Sequence, residues 1–249
     1  MFANSVNYAF RHSTIALLTK HKKELEISPL IKNYLGVTVE TIDTYDTDEL
    51  GTFTREKKRI HSQFETARIK ALKAIEISGY HIGIGSEGSF CTDPYTGLSP
   101  WNIEMVVLID KKNNIEITGI EQRSYKNVQK YITSPEELCS IADYIKFPQN
   151  NLILRPDNEN NSTIYKDFNN LDHLIVSFYE VIKKSASKIV FVENDHRAHC
   201  STDRMEAIRY ATTDCSLEAH EPVPLQLPKC CSNKKSTRAH KLQASEHKM

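Results

Sequence analysis

Four short clusters carry the side chains best suited to chemistry. They are Asp46-Thr47-Asp48 with Gly51-Thr52-Phe53, Glu65-Thr66-Ala67 with Lys70, Ser86-Glu87-Gly88-Ser89, and Glu193-Asn194-Asp195 with Arg197. Small neighbours let a ligand come close to backbone, and carboxylate oxygens near lysines suit Mg²⁺ or Mn²⁺ bound to phosphate. Glu87, between Ser86 and Gly88 just past an apolar strand, is the first candidate for a metal ligand or water-orienting base. Glu65, in the first turn of a predicted helix, is the second candidate, although a carboxylate there also favours the helix dipole on its own account. Glu104, early in the following strand, can join them at a metal.

The candidate phosphate-binding set is Thr19, Lys20, Lys22, Lys23, Lys70, Ser86 and Arg197. The first four follow an apolar strand and enter a helix, where open backbone N–H groups and ammonium groups favour an anion. Lysines at a helix start serve equally as solvated surface. The segment is no P-loop, because the glycine frame and the GK[ST] ending are missing. Arg197 suits a phosphate or a nucleobase, with a local contact to Asp203 or Arg204 as the alternative. Asp46 and Asp48 serve either as metal contacts or as an Asx-turn device.

The elements that must position these groups alternate. Thr14–Thr19 is a strand-length apolar run, followed by a helix that ends at Leu35-Gly36 and is kinked or restarted at Pro29. Val37–Ile42 is β-branched. The spacing of Phe64, Ala67, Ala71, Leu72 and Ile75 predicts a helix over 61–78, stopped by Gly79. A short strand, 81–85, then runs into a Ser86–Ser89 loop. Strands at 103–110 and 115–122 flank a Lys111–Asn114 hairpin turn. Ser134-Pro135-Glu136-Glu137 starts a helix that runs to about Lys146. A strand at 152–154, a helix at 171–184, a strand at 188–192 and a last helix at 202–212 complete the order. This predicts an α/β fold: one mixed, mostly parallel sheet with an antiparallel hairpin and helices on both faces. The expected organisation is an N-terminal extension over 1–12, a single domain over 13–213 and a disordered tail over 214–249.

Composition narrows the function classes. With 39% apolar residues the chain can bury a core, and 32 basic residues against 32 acidic ones give no overall field for a nucleic acid polymer. No apolar run approaches a membrane span or a signal peptide, so the expected location is the cytoplasm, with no membrane partner. The six cysteines show no CxxC spacing. In the tail, Cys215, Cys230, Cys231, His220, His240 and His247 offer zinc ligands in principle, but adjacent cysteines replace the usual knuckle.

Two resemblances extend this reading. The blocks Asp46-Thr47-Asp48…Leu50-Gly51-Thr52-Phe53, Glu65-Thr66-Ala67…Lys70-Ala71, Ser86-Glu87-Gly88-Ser89-Phe90, Leu108-Ile109-Asp110 and Glu193-Asn194-Asp195…Arg197-Ala198 resemble, in order and spacing over Ile15–Ile208, a bacterial family known only as a domain of unknown function. Members of that family often continue into a cysteine-rich, zinc-ribbon-like C-terminus, whereas this chain has no paired CxxC after Thr213. Thr19-Lys20-His21-Lys22-Lys23, Glu65-Thr66-Ala67…Lys70-Ala71 and Ser86-Glu87-Gly88 are also similar to the motifs of house-cleaning nucleoside triphosphate pyrophosphatases, over about the first ninety residues. That likeness implies Glu65 and Glu87 on Mg²⁺, lysines 20–23 on the triphosphate, water attacking the α-phosphorus, and a homodimer. The resulting expectation is a Mg-dependent hydrolase of a nucleotide-like phosphate substrate. The alternative is a non-catalytic nucleotide- or anion-binding module.

Overall fold

Alternation of apolar side chains along the first strands dictates that both faces of their sheet be covered. Ile15, Leu17, Ile82, Ile84, Val106 and Leu108 project to one side, and Ala16, Leu18, Val107 and Ile109 to the other. In the computed structural model, which describes Phe10 and residues 12–47 and 60–219, helices close both sides. The elements run β1 (Thr14–Leu18), α1 (Glu24–Leu35), β2 (Thr38–Ile42), α2 (Gln63–Ser78), β3 (Ile82–Thr92), β4 (Pro100–Asp110) and β5 (Ile115–Ser124). They continue with β6 (Gln129–Ile132), α3 (Pro135–Ile145), β7 (Leu152–Pro156), α4 (Leu171–Lys184), β8 (Val190–Asn194), a 3-10 turn (Ala198–Cys200) and α5 (Thr202–Glu218).

The fold is α/β, with a mixed sheet, an antiparallel hairpin and helices on both faces, as the element order predicts. Five strands lie in the order β2-β1-β3-β4-β5, with β1 parallel to both neighbours and β3-β4-β5 antiparallel. Helices α1 and α5 cover one face through Ile27, Ile31, Leu35, Ile208, Ala211 and Cys215. Helix α2 covers the other through Ala67, Ala71, Ala74 and Ile75. The remaining strands form a second, antiparallel sheet, β6-β8-β7. Helices α3 and α4 pack Leu138, Ile141, Leu174, Phe178 and Val181 onto its Leu152, Leu154, Val190 and Val192. Among the described residues no helix is long and apolar enough to cross a membrane.

Local chemistry sets most boundaries where expected. Gly36 and Gly79 end α1 and α2 at φ 65° and 75°, in the left-handed region that glycine enters without strain. Ser62 and Ser134 head capping boxes with Glu65 and Glu137. Four expectations are corrected and one strand is added. Ser86–Ser89 is not a loop: β3 continues to Thr92, each residue in register with β4. Phe64 is 40% exposed, and Thr66, Ala67, Ala71, Ala74 and Ile75 make the buried face of α2. Pro29 lies inside a single helix, α1, so the helix does not restart there. Strand β6, with only one buried residue, shows no alternation of its own in the sequence. Helix α5 runs to Glu218, past the expected end at Thr212, because Cys215 is fully buried against Gly119 of β5. Residues 1–9, Asp48–Arg59 and the tail from His220, with Cys230, Cys231, His240 and His247, lie outside the described residues.

Candidate functional site

The first sheet reverses its winding between β1 and β3. The β1-α1-β2 unit steps one way and α2 returns the chain to the other side of β1, so the two helices lie on opposite faces. Such a switch point leaves a crevice beyond the carboxyl ends of the strands. The last β1–β3 register pair is Leu17 with Ile84, and two residues further on come Thr19 and Ser86. β3 therefore runs past the end of β1 and presents Ser86 and Glu87 beside the turn into α1.

Lys23 stands at the N-cap of α1 and is buried to 5% exposure. Its Nζ donates to the Ser86 carbonyl and hydroxyl oxygens, both at 3.2 Å. Burial, reinforced by the nearby Arg204 guanidinium, pulls its ammonium down from 10.5 to about 7, against the opposing pull of Glu104 and Glu87. The Thr19 hydroxyl is buried with no hydrogen-bond partner among the described residues.

Two buried ion pairs flank this lysine, one on each face of the sheet. Glu87 accepts from Lys70 of α2 at 2.5 Å. Glu104 accepts from Arg204 Nε of α5 at 2.5 Å and from Asn102 Nδ2 at 3.0 Å. Arg204 also donates to the His196 carbonyl and lies over the Phe90 ring. Gln63, at the start of α2, donates to the Glu87 and Ile103 carbonyls at 2.8 Å and accepts from Ser89. Gly85 and Gly88 make these approaches possible, since a Cβ would strike α2 backbone at the first and Arg204 with Glu104 at the second.

The placement of the sequence candidates divides them. Thr19, Lys23, Lys70, Ser86 and Glu87 gather at the switch point, with Glu104 nearby. Register separates the two carboxylates: Glu87 lies opposite Met105 and Glu104 opposite Gly88, so they project to opposite faces. They do not converge on one ion. Glu65 is exposed, and its carboxylate accepts from the Ser62 backbone N–H and hydroxyl, which hold it below the ordinary range. It serves the helix cap. Lys20 pairs with Asp46 at 2.8 Å on the surface, and Lys22 is exposed.

Arg197 bonds neither Asp203 nor Arg204 but donates to Asp195 at 2.5 Å and Asp167 at 2.6 Å. Burial works against the Asp195 anion, but the hydrogen bonds and charge of Arg197 outweigh it and leave its carboxyl low. Beside this pair, Asp167, His199 and Cys200 place a carboxylate, an imidazole and a thiol within 4.8 Å of one another, a group that could hold a metal ion. A narrow cleft near the switch point is lined by Phe90, Asn102, Tyr125, Asn194, His196 and Arg204. His196 stacks on Phe90 there, with centroids 3.8 Å apart, and meets the edge of Tyr125.

Sequence reasoning missed Gln63, Asn102, Arg204, His199 and Cys200. Arg204 sits in a helix, one hundred positions from its partner Glu104, and only the packing of α5 on β4 joins them. The spacing Asp195-x-Arg197-x-His199-Cys200 was a usable signal, since it crowds four polar or reactive side chains directly after a buried strand.

A family model described as Domain of unknown function (DUF6671) matches residues 70–238. The chain belongs to that family. The blocks at Asp46–Phe53 and Glu65–Ala67 lie ahead of the matched stretch. No curated protein matches the chain.

Proposed function

We propose that this member of the DUF6671 family binds a small phosphate-bearing molecule of the nucleotide kind at the switch point between β1 and β3. The observation that carries the reading is Lys23, a buried ammonium at the head of α1 that is hydrogen-bonded to the neutral oxygens of Ser86. A phosphate there meets the α1 N-terminus and the Thr19 hydroxyl, with Lys70 and Arg204 adding positive field from opposite faces. An anion restores the protonated form of Lys23, so binding draws a proton onto the lysine near neutral pH.

A hydrolytic reading is favoured by one further observation, the buried Glu87 carboxylate beside Ser86. Here the molecule would be a Mg²⁺- or Mn²⁺-dependent hydrolase of a nucleotide-like phosphate ester, down to release of pyrophosphate from a nucleoside triphosphate. A metal would supply charge neutralisation on the phosphate oxygens. The two-carboxylate set does not fit it, since Glu87 and Glu104 face apart and Glu65 caps a helix. Glu87 is then the base: a phosphate that attracts Lys70 frees the Glu87 oxygen to accept a proton from water.

Calorimetry with inorganic phosphate, pyrophosphate and nucleoside mono-, di- and triphosphates tests binding, with pyrophosphate and phosphate release assayed in parallel with Mg²⁺ or Mn²⁺. The binding reading predicts saturable affinity for a phosphate compound that Lys23→Met abolishes. Turnover lost in Glu87→Gln, with binding kept, adds the hydrolytic step. A folded protein that takes up none of the panel overturns both.

A further inference from the structure

We propose that Asp167, His199 and Cys200 form a three-ligand, zinc-type transition-metal site distinct from the anion site. The three groups come from two separate segments: Asp167 precedes α4, while His199 and Cys200 occupy the 3-10 turn after β8. Their ligating atoms already lie within 4.8 Å of one another, and Cys200 is a buried free thiol. Asp167, His199 and Cys200 fill three positions of a tetrahedral shell, and the fourth is left to water.

Charge supports a dication at this place. With Cys200 as thiolate, the three anions Asp167, Asp195 and Cys200 and the one cation Arg197 leave two negative charges for the ion to neutralise. Arg197 donates to Asp167 Oδ1, leaving Oδ2 to the metal, and is itself held by Asp195. It acts as the outer partner that orients a ligating carboxylate. On loading, the Cys200 S–H bond breaks, sulfur keeps the electron pair for the metal, and the proton leaves to solvent. Thiolate and imidazole donors select Zn²⁺ or Co²⁺ over Mg²⁺ and Mn²⁺, which take oxygen shells.

Cobalt reports the sulfur ligand directly. The chelator-treated full-length chain is titrated with Co²⁺ and the sulfur-to-cobalt charge-transfer band followed, then Zn²⁺ and Mg²⁺ are added as competitors. One equivalent of tetrahedral Co²⁺ is expected, displaced by Zn²⁺ and untouched by Mg²⁺. Cys200→Ser removes the charge-transfer band. Asp167→Asn and His199→Gln weaken Zn²⁺ binding by about tenfold or more, the scale on which even outer partners act. The exposed Asp167 and His199 decide the matter should Cys200→Ser not fold. Cys230→Ser with Cys231→Ser leaves the band in place. A band that survives Cys200→Ser, vanishes with the tail cysteines or never forms in the unaltered chain overturns the proposal. The probe is the metal alone, so its failure leaves the anion site standing.

Discussion

An ammonium that titrates near 7 in the folded chain and near 10.5 in water makes stability depend on pH in a definite sense. Between those values the unfolded state holds the Lys23 proton and the folded state does not, so stability rises with pH across the window. Buried thiols oppose this higher up: Cys200 and Cys215 are pushed from 9.0 to about 12, and the unfolded chain loses those protons first above pH 9. The clean window is pH 7 to 9. Urea unfolding there is expected to show a positive slope in the unaltered chain and a flatter one in Lys23→Met, with the variant gaining most below pH 7, where the desolvation cost is complete. An unchanged slope would place the titration elsewhere. The Glu104–Arg204 pair gives a second residue-scale expectation. Removing either partner strands a buried charge and costs about 3–5 kcal/mol, whereas the more exposed Arg209–Glu26 pair is worth about 1 kcal/mol or less. Denaturation midpoints of Arg204→Met and Arg209→Met compare the two directly.

Elements decide whether a carboxylate does chemistry or construction. Glu65 and Glu87 carry the same group, and their neighbours in sequence offered no firm distinction. The capping box resolves it for Glu65, whose oxygen is turned back on Ser62. Ser62→Ala is therefore expected to cost about 1 kcal/mol of stability, and Glu65→Ala to destabilise in the same sense, with phosphate binding unchanged in both. Thermal melts and calorimetry on the two variants check this, and a loss of affinity in Glu65→Ala would return that residue to the site. Strand β3 carries the other lesson. Its glycines read as a loop because glycine usually marks turns, yet Gly85 keeps α2 against the strand and Gly88 leaves space for Arg204. Gly85→Ala drives a methyl into the backbone of α2 and is expected to cost about 1–3 kcal/mol or more, seen as a lowered melting temperature.

At the scale of the whole molecule, α5 links the parts: it covers β4 and β5, supplies Arg204 to Glu104, and follows directly from the 3-10 turn of the proposed metal site. Its last turns belong to the core, with Cys215 and Ala219 buried. A chain ending at Thr213 is expected to melt well below one ending at Ala219, and scanning calorimetry of the two measures that contribution. The sequence by itself determined the α/β class, most helix and strand positions and the capped helix starts. These follow from periodicity and capping chemistry, which act within a few residues of chain. Tertiary structure alone decided that Glu87 and Glu104 face apart, that Arg204 meets Glu104, and that Asp167 reaches His199 and Cys200. Each of those depends on which strand pairs with which, in what register, and on which helix lies above them; no local pattern encodes such contacts, because their partners lie from seventeen to one hundred positions apart.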